Sequence, residues 1–143
     1  MIAVDTNILV YAHRQDTEWH ARAIAALTPL AQGDQTWAIP WPCVHEFLAI
    51  VTHPRIFRPP TPSPLAVQAI RVWLESPSCR VLGEGPGYFE TLARVLTDAQ
   101  ARGGQIHDAR IAALCEHHRV GELWTLDRDF SRFTDLCVVN PLT

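Results

Sequence analysis

The sequence predicts an α/β fold built on a central, mainly parallel sheet of four to five strands covered by helices on both faces. Three observations carry this expectation. Short apolar runs of strand length alternate with stretches of helical periodicity along the whole chain. Those runs are continuously apolar, as strands buried on both faces are. The length of 143 residues is that of one ordinary domain, so 1–143 reads as a single unit.

Residues 2–4 are the first apolar run, ending in the polar triplet Asp5-Thr6-Asn7, after which Ile8, Leu9, Val10 and Tyr11 continue as a helix. A second helix is expected over 18–31, capped by Asp16 or Thr17 and ended by Gly33. Residues 36–39 read as the second strand, with Pro40 as its stop. Residues 42–53 are helical: Val44, Phe47, Leu48 and Val51 form one apolar stripe, which leaves Glu46 off its centre. The proline-rich stretch 55–64 is the one clear irregular segment and reads as a surface loop, because the strand-helix rhythm resumes after it. A helix over 65–75 and a strand over 80–82 follow. Residues 88–101 form a helix stopped by Gly103-Gly104, and 106–118 form another, its inward residues Ile106, Ala109, Ile111, Ala113 and Leu114. Strands at 122–125 and 136–139 complete the sheet.

Composition narrows the function classes. Apolar residues make up 48% and charged residues 19%, a globular balance. All twelve basic residues are arginine, which removes any chemistry that needs lysine, P-loop nucleotide hydrolysis included. Cys43, Cys79, Cys115 and Cys137 never form a C-x-x-C pair and are expected to be buried free thiols. Neither a signal peptide nor a bilayer-length apolar run is evident, so a cytoplasmic protein without membrane contact is expected. The net charge of −3 argues against a polyanionic substrate. That objection weakens if Asp5, Glu46, Asp108, Asp127 and Asp129 are set aside as one metal site, because the remaining chain is then slightly positive.

In an open parallel sheet, ligands bind beyond the carboxyl ends of the strands. Asp5 follows the first strand and Asp127 the fourth, so both belong at that edge. Each acid also has a plain structural explanation. Asp5 suits a helix N-cap, Glu46 a solvated helix position, Asp108 the first turn of a helix, and Asp127 or Asp129 a turn. Their joint arrangement carries the argument. Acids gathered at one edge repel one another unless a cation joins them, and all-oxygen donors select hard ions such as Mg2+ or Mn2+, which also bind phosphate.

Val4-Asp5-Thr6-Asn7-Ile8-Leu9, Glu46, His107-Asp108-Ala109 and Thr125-Leu126-Asp127-Arg128-Asp129-Phe130, in this order, resemble the motifs of PIN-domain nucleases, among them the VapC-type toxins of bacterial toxin-antitoxin systems. The resemblance implies a three-layer α/β/α PIN-like fold. It further implies a Mg2+-dependent (Mn2+ possible) endoribonuclease in which Asp5, Glu46, Asp108 and Asp127 are the catalytic, metal-holding acids. Asn7, Thr125 and Asp129 would support them, with the choice between Asp127 and Asp129 as direct ligand left open. An RNA substrate, a product with a 5′-phosphate, a cognate antitoxin and a homodimer are also implied.

Other readings fit less well. A haloacid-dehalogenase phosphotransferase needs an acid where Asn7 stands, and it needs a lysine. Zinc hydrolysis could draw on His45, His107, His117 and His118, but no H-E-x-x-H spacing occurs, and His117-His118 suits the end of a helix. The alternative outside catalysis is a PIN-like module that binds RNA or protein without cutting, against which all four main acids speak. Arg14, Arg55, Arg58, Arg110 and Arg128 are candidate phosphate contacts by charge, and Trp19 and Trp41 are candidate partner anchors.

Overall fold

The computed structural model describes residues 1–143. Its sheet has five strands, all parallel: β1 (Ile2–Val4), β2 (Trp37–Pro40), β3 (Cys79–Leu82), β4 (Glu122–Trp124) and β5 (Val138–Val139), in the order β3-β2-β1-β4-β5. Six helices connect them: α1 (Thr6–His13), α2 (His20–Gln32), α3 (Trp41–Val51), α4 (Ser63–Leu74), α5 (Tyr88–Ala99) and α6 (Gln105–His117). Every residue of β1 and β2 is buried. Neighbouring strand residues point to opposite faces, so both faces of the sheet must be covered, and the result is the three-layer α/β/α arrangement.

The chain runs outward from β1 through β2 to β3, then returns to place β4 on the other side of β1. The strand order therefore reverses between β1 and β4, and a crevice opens at their carboxyl ends. Val4 pairs with Trp124 in register. One step further along each strand stand Asp5 and Thr125.

The expected boundaries shift where local chemistry intervenes. Helix α2 starts at His20 because neither expected cap is free: the Asp16 carboxylate is taken by Arg14, and the Thr17 hydroxyl donates to the Arg14 carbonyl. Helix α5 stops at Ala99 because Gln100 adopts a left-handed conformation, ahead of the glycine pair. Gly103, at φ +60, then turns the chain into α6, where a side chain would be strained. Ile106 is only half-buried, whereas Ala109, Ile111, Ala113 and Leu114 are buried as expected. Cys43 and Cys115 are buried thiols, but Cys79 is half-buried and Cys137 exposed. No helix is long and apolar enough to cross a membrane.

Candidate metal centre at the sheet edge

Asp5 ends β1 and begins α1. Its backbone N–H donates to the Trp124 carbonyl at 3.0 Å, which locks it beside β4. One carboxylate oxygen caps α1, accepting from the Thr6 N–H at 2.7 Å. The other accepts from the Thr125 hydroxyl at 2.7 Å and, more weakly, from the Asn7 amide at 3.4 Å. From below, the fully buried Cys43 thiol donates to Oδ1 at 3.5 Å. Asp5 is therefore the N-cap of α1, and its carboxylate also faces the cleft at the sheet edge.

Burial is the chief reason that the Asp5 carboxyl is pushed up from 3.8 to about 6. Hydrogen bonds from Thr125 and Thr6 work against this, and the nearby charge of Glu46 adds to it. Asp108, in the first turn of α6, is raised too, first by burial and then by Asp127, Asp129 and Glu46, with Arg132 opposing.

The oxygens of Asp108, Asp127 and Asp129 lie within 4.8 Å of one another, and only carboxylates make up this group. Asp127 also caps the short 3-10 helix Arg128–Arg132, accepting from the Asp129 N–H at 2.9 Å. Glu46 projects from α3 and accepts from the Thr6 hydroxyl at 2.7 Å. A cleft of about 340 Å3 is lined by Asp5, Glu46, Asp108 and Asp127 together with Thr6 and Asn7. Asp129 is exposed and is not part of that lining. The structure thus brings Asp108, Asp127 and Asp129 closest together, and joins Asp5 and Glu46 to the first two across one cleft.

None of these acids forms an ion pair, although the charge of Arg132 reaches Asp108. The three ion pairs of the molecule are Arg14–Asp16, Arg94–Glu116 and Arg110–Glu84, and no arginine lines the cleft. An all-oxygen cluster with no ion-paired cation suits a hard divalent ion. Arg14, a candidate phosphate contact by charge, is held by Asp16 and Thr61, and Arg110, another, lies 3.7 Å from Glu84. His118 caps the end of α6 and bonds to the Gly83 carbonyl, and no histidine joins the cluster.

Asn7 and Thr125 both bond to the Asp5 carboxylate and to each other. Asn7 donates to the Thr125 hydroxyl oxygen at 3.1 Å and accepts from the Leu126 N–H, while Thr125 Oγ1 also accepts from the Asp127 N–H at 3.0 Å. Sequence reasoning missed Thr6 and Cys43. The signal for Cys43 was its position three residues before Glu46, which places both on one face of α3.

Residues 2–136 match the family model of the PIN domain. The chain is 34% identical over 142 residues to the VapC ribonuclease Mb2897 of Mycobacterium bovis, covering 99% of this chain and 96% of that protein. Among solved structures, VapBC2 from Rickettsia felis bound to a promoter DNA fragment aligns with a TM-score of 0.72 at 19% identity, covering 98% of each chain. The sarcin-ricin-loop-cleaving toxin VapC20 of Mycobacterium tuberculosis aligns at 0.66 and 18% identity, covering 92% of this chain and 93% of that one.

Proposed function

The chain belongs to the PIN-domain family, and on that premise we propose that it is a divalent-metal-dependent endoribonuclease of the VapC type, the toxin of a toxin-antitoxin pair. The observation that carries this reading is the cleft in which Asp5, Glu46, Asp108 and Asp127 converge without a cation of their own. Those four residues would hold Mg2+ or Mn2+, with Asp129 beside them. The chemistry such an ion supplies is charge neutralisation at a phosphate and acidification of a water.

The protein's own groups do the rest. Thr125, Thr6, Asn7 and Cys43 fix the Asp5 carboxylate in one orientation. The Thr6 hydroxyl holds Glu46, which is the acid we assign to take the proton of the attacking water. A metal-free route through the RNA 2′-hydroxyl needs a general acid beside its base, a role histidine commonly fills, and no histidine lines the cleft.

The 34% identity to a VapC ribonuclease supports both the RNA substrate and the toxin role. A cognate antitoxin and a homodimer belong to the same reading. Exposed apolar residues on α4, Leu65, Val67 and Val72, offer surface for a protein partner. A cytoplasmic site of action follows from the RNA substrate.

Purified protein is expected to cut RNA with Mg2+ or Mn2+, to stop on addition of EDTA, and to resume on resupply. Gel electrophoresis of a total RNA fraction reads this out. Absence of cleavage with either ion would favour the binding module that does not cut.

Replacing Thr6 by Val removes the donor to Glu46 while keeping the backbone cap on Asp5. Cleavage is expected to fall about tenfold or more, as for other supporting partners of metal sites, whereas Thr6→Ser restores it. Single-turnover rates for the two variants check this.

A further inference from the structure

The cleft that holds the acids is also lined by Val10, Tyr11, Ile50, Ile56 and Phe57, a surface the metal chemistry does not use. Ile56 and Phe57 belong to the proline-rich connection between α3 and α4. Ile56 is 53% exposed, an apolar side chain held in water beside a carboxylate cluster.

That connection is braced. Thr61 is buried; its N–H donates to the Val51 carbonyl at 2.8 Å, and its hydroxyl meets His13 at 3.0 Å and Arg14 at 3.2 Å. Arg14 is itself held by two bonds to Asp16, at 2.8 and 2.6 Å, and its guanidinium lies 4.3 Å from the centre of the Phe57 ring. The N–H groups of Ile56 and Phe57 both donate to the His53 carbonyl. The apolar wall is therefore built before any ligand arrives.

We propose that this wall is a nucleobase seat: Ile56 and Phe57 touch the base of a nucleotide next to the scissile phosphate, and Arg14 is a positioning residue that holds Phe57. The inference rests on the ribonuclease reading above. A nucleotide is a phosphate joined to a flat, largely apolar ring, and the cleft offers a carboxylate group suited to a metal-phosphate pair beside an aliphatic and aromatic surface. Its volume of about 340 Å3 is at the lower end of small-ligand pockets, room for one base rather than for a paired helix. Tyr11 brings the only side-chain polar atom of this wall and is the group placed to bond to a base edge.

The test uses the Glu46→Gln protein in Mg2+ as a non-cutting background. Fluorescent pentaribonucleotides of uridine or adenosine are compared with a base-free ribose-phosphate pentamer of equal charge. The base-bearing strands are expected to bind about tenfold or more tightly than the base-free one, in line with the usual contribution of a base seated on an aromatic or apolar side chain. Ile56→Ala and Phe57→Ala should erase that difference while leaving base-free affinity unchanged, Phe57→Tyr should keep it, and Arg14→Ala should reduce it. Equal binding of base-bearing and base-free strands, or a difference that survives both alanine variants, overturns the seat. The wild-type protein is assayed for cleavage of the same strands in parallel. Intact base preference without cleavage removes the nuclease reading alone, and cleavage without base preference removes the seat alone.

Discussion

Replacing Asp5 with asparagine is expected to abolish RNA cleavage and at the same time to make the metal-free protein more stable at pH 7. Cleavage should fall by more than about a hundredfold, because even the partners of a metal ligand are worth about 10–100-fold. The gain in stability follows from burial. Asp5 is 5% exposed and its carboxyl is raised from 3.8 to about 6, so the folded protein binds that proton more tightly than the unfolded chain does. Above pH 6 the fold must carry an ionised, unpaired acid, at a cost of about 3 kcal/mol. As pH falls from 6 towards 3.8 the cost disappears, and metal-free wild-type protein should gain stability over that window.

Asparagine removes the charge and still accepts from the Thr6 N–H. The Thr125 hydroxyl, which donates to Asp5 in the wild type, would face an amide, a loss of about 1 kcal/mol. The expected net gain is about 2 kcal/mol at pH 7, with a flatter pH dependence than wild type. Urea titrations at pH 7 and pH 5 without metal measure both. A variant less stable than wild type at pH 7 would mean that the hydrogen bonds of the ionised Asp5, its cap on α1 included, outweigh the cost of burying it.

The second large effect concerns the three clustered acids. Divalent ion at a hundred times its dissociation constant should stabilise wild-type protein by about 2.7 kcal/mol. In Asp108→Asn or Asp127→Asn that stabilisation should nearly vanish, together with cleavage, because each removes a carboxylate from a group whose oxygens lie within 4.8 Å. Asp129→Asn, altering the exposed member, should keep more of both. Thermal unfolding with increasing Mg2+ or Mn2+ reads this out, and equal stabilisation of wild type and Asp108→Asn would place the ion elsewhere.

Much of the fold was legible in the sequence because it rests on buried parallel strands, whose unbroken apolar runs stand out. The edge placement of Asp5 followed from the same logic, since the residue after a buried parallel strand falls at the ligand-binding edge. Helix ends were less legible. The α2 cap depended on a bond between Arg14 and Asp16, and the α5 end on one residue adopting left-handed geometry. At the site, the acids could be named from motif order, but contacts between distant segments could not. The Thr6 bond to Glu46 spans 40 residues, and the brace of Arg14 on Thr61 spans 47. Arg14 was a candidate phosphate contact by charge alone; in the fold its charge is spent on Asp16, and its flat face on Phe57.

The end chemistry of the RNA product tests the central claim most directly. If the carboxylate cleft directs a water at the phosphate, the downstream fragment carries a 5′-phosphate, the upstream one a free 3′-hydroxyl, and neither forms in EDTA. A 2′,3′-cyclic phosphate on the upstream fragment, or cleavage that continues in EDTA or in the Asp108→Asn protein, would contradict it.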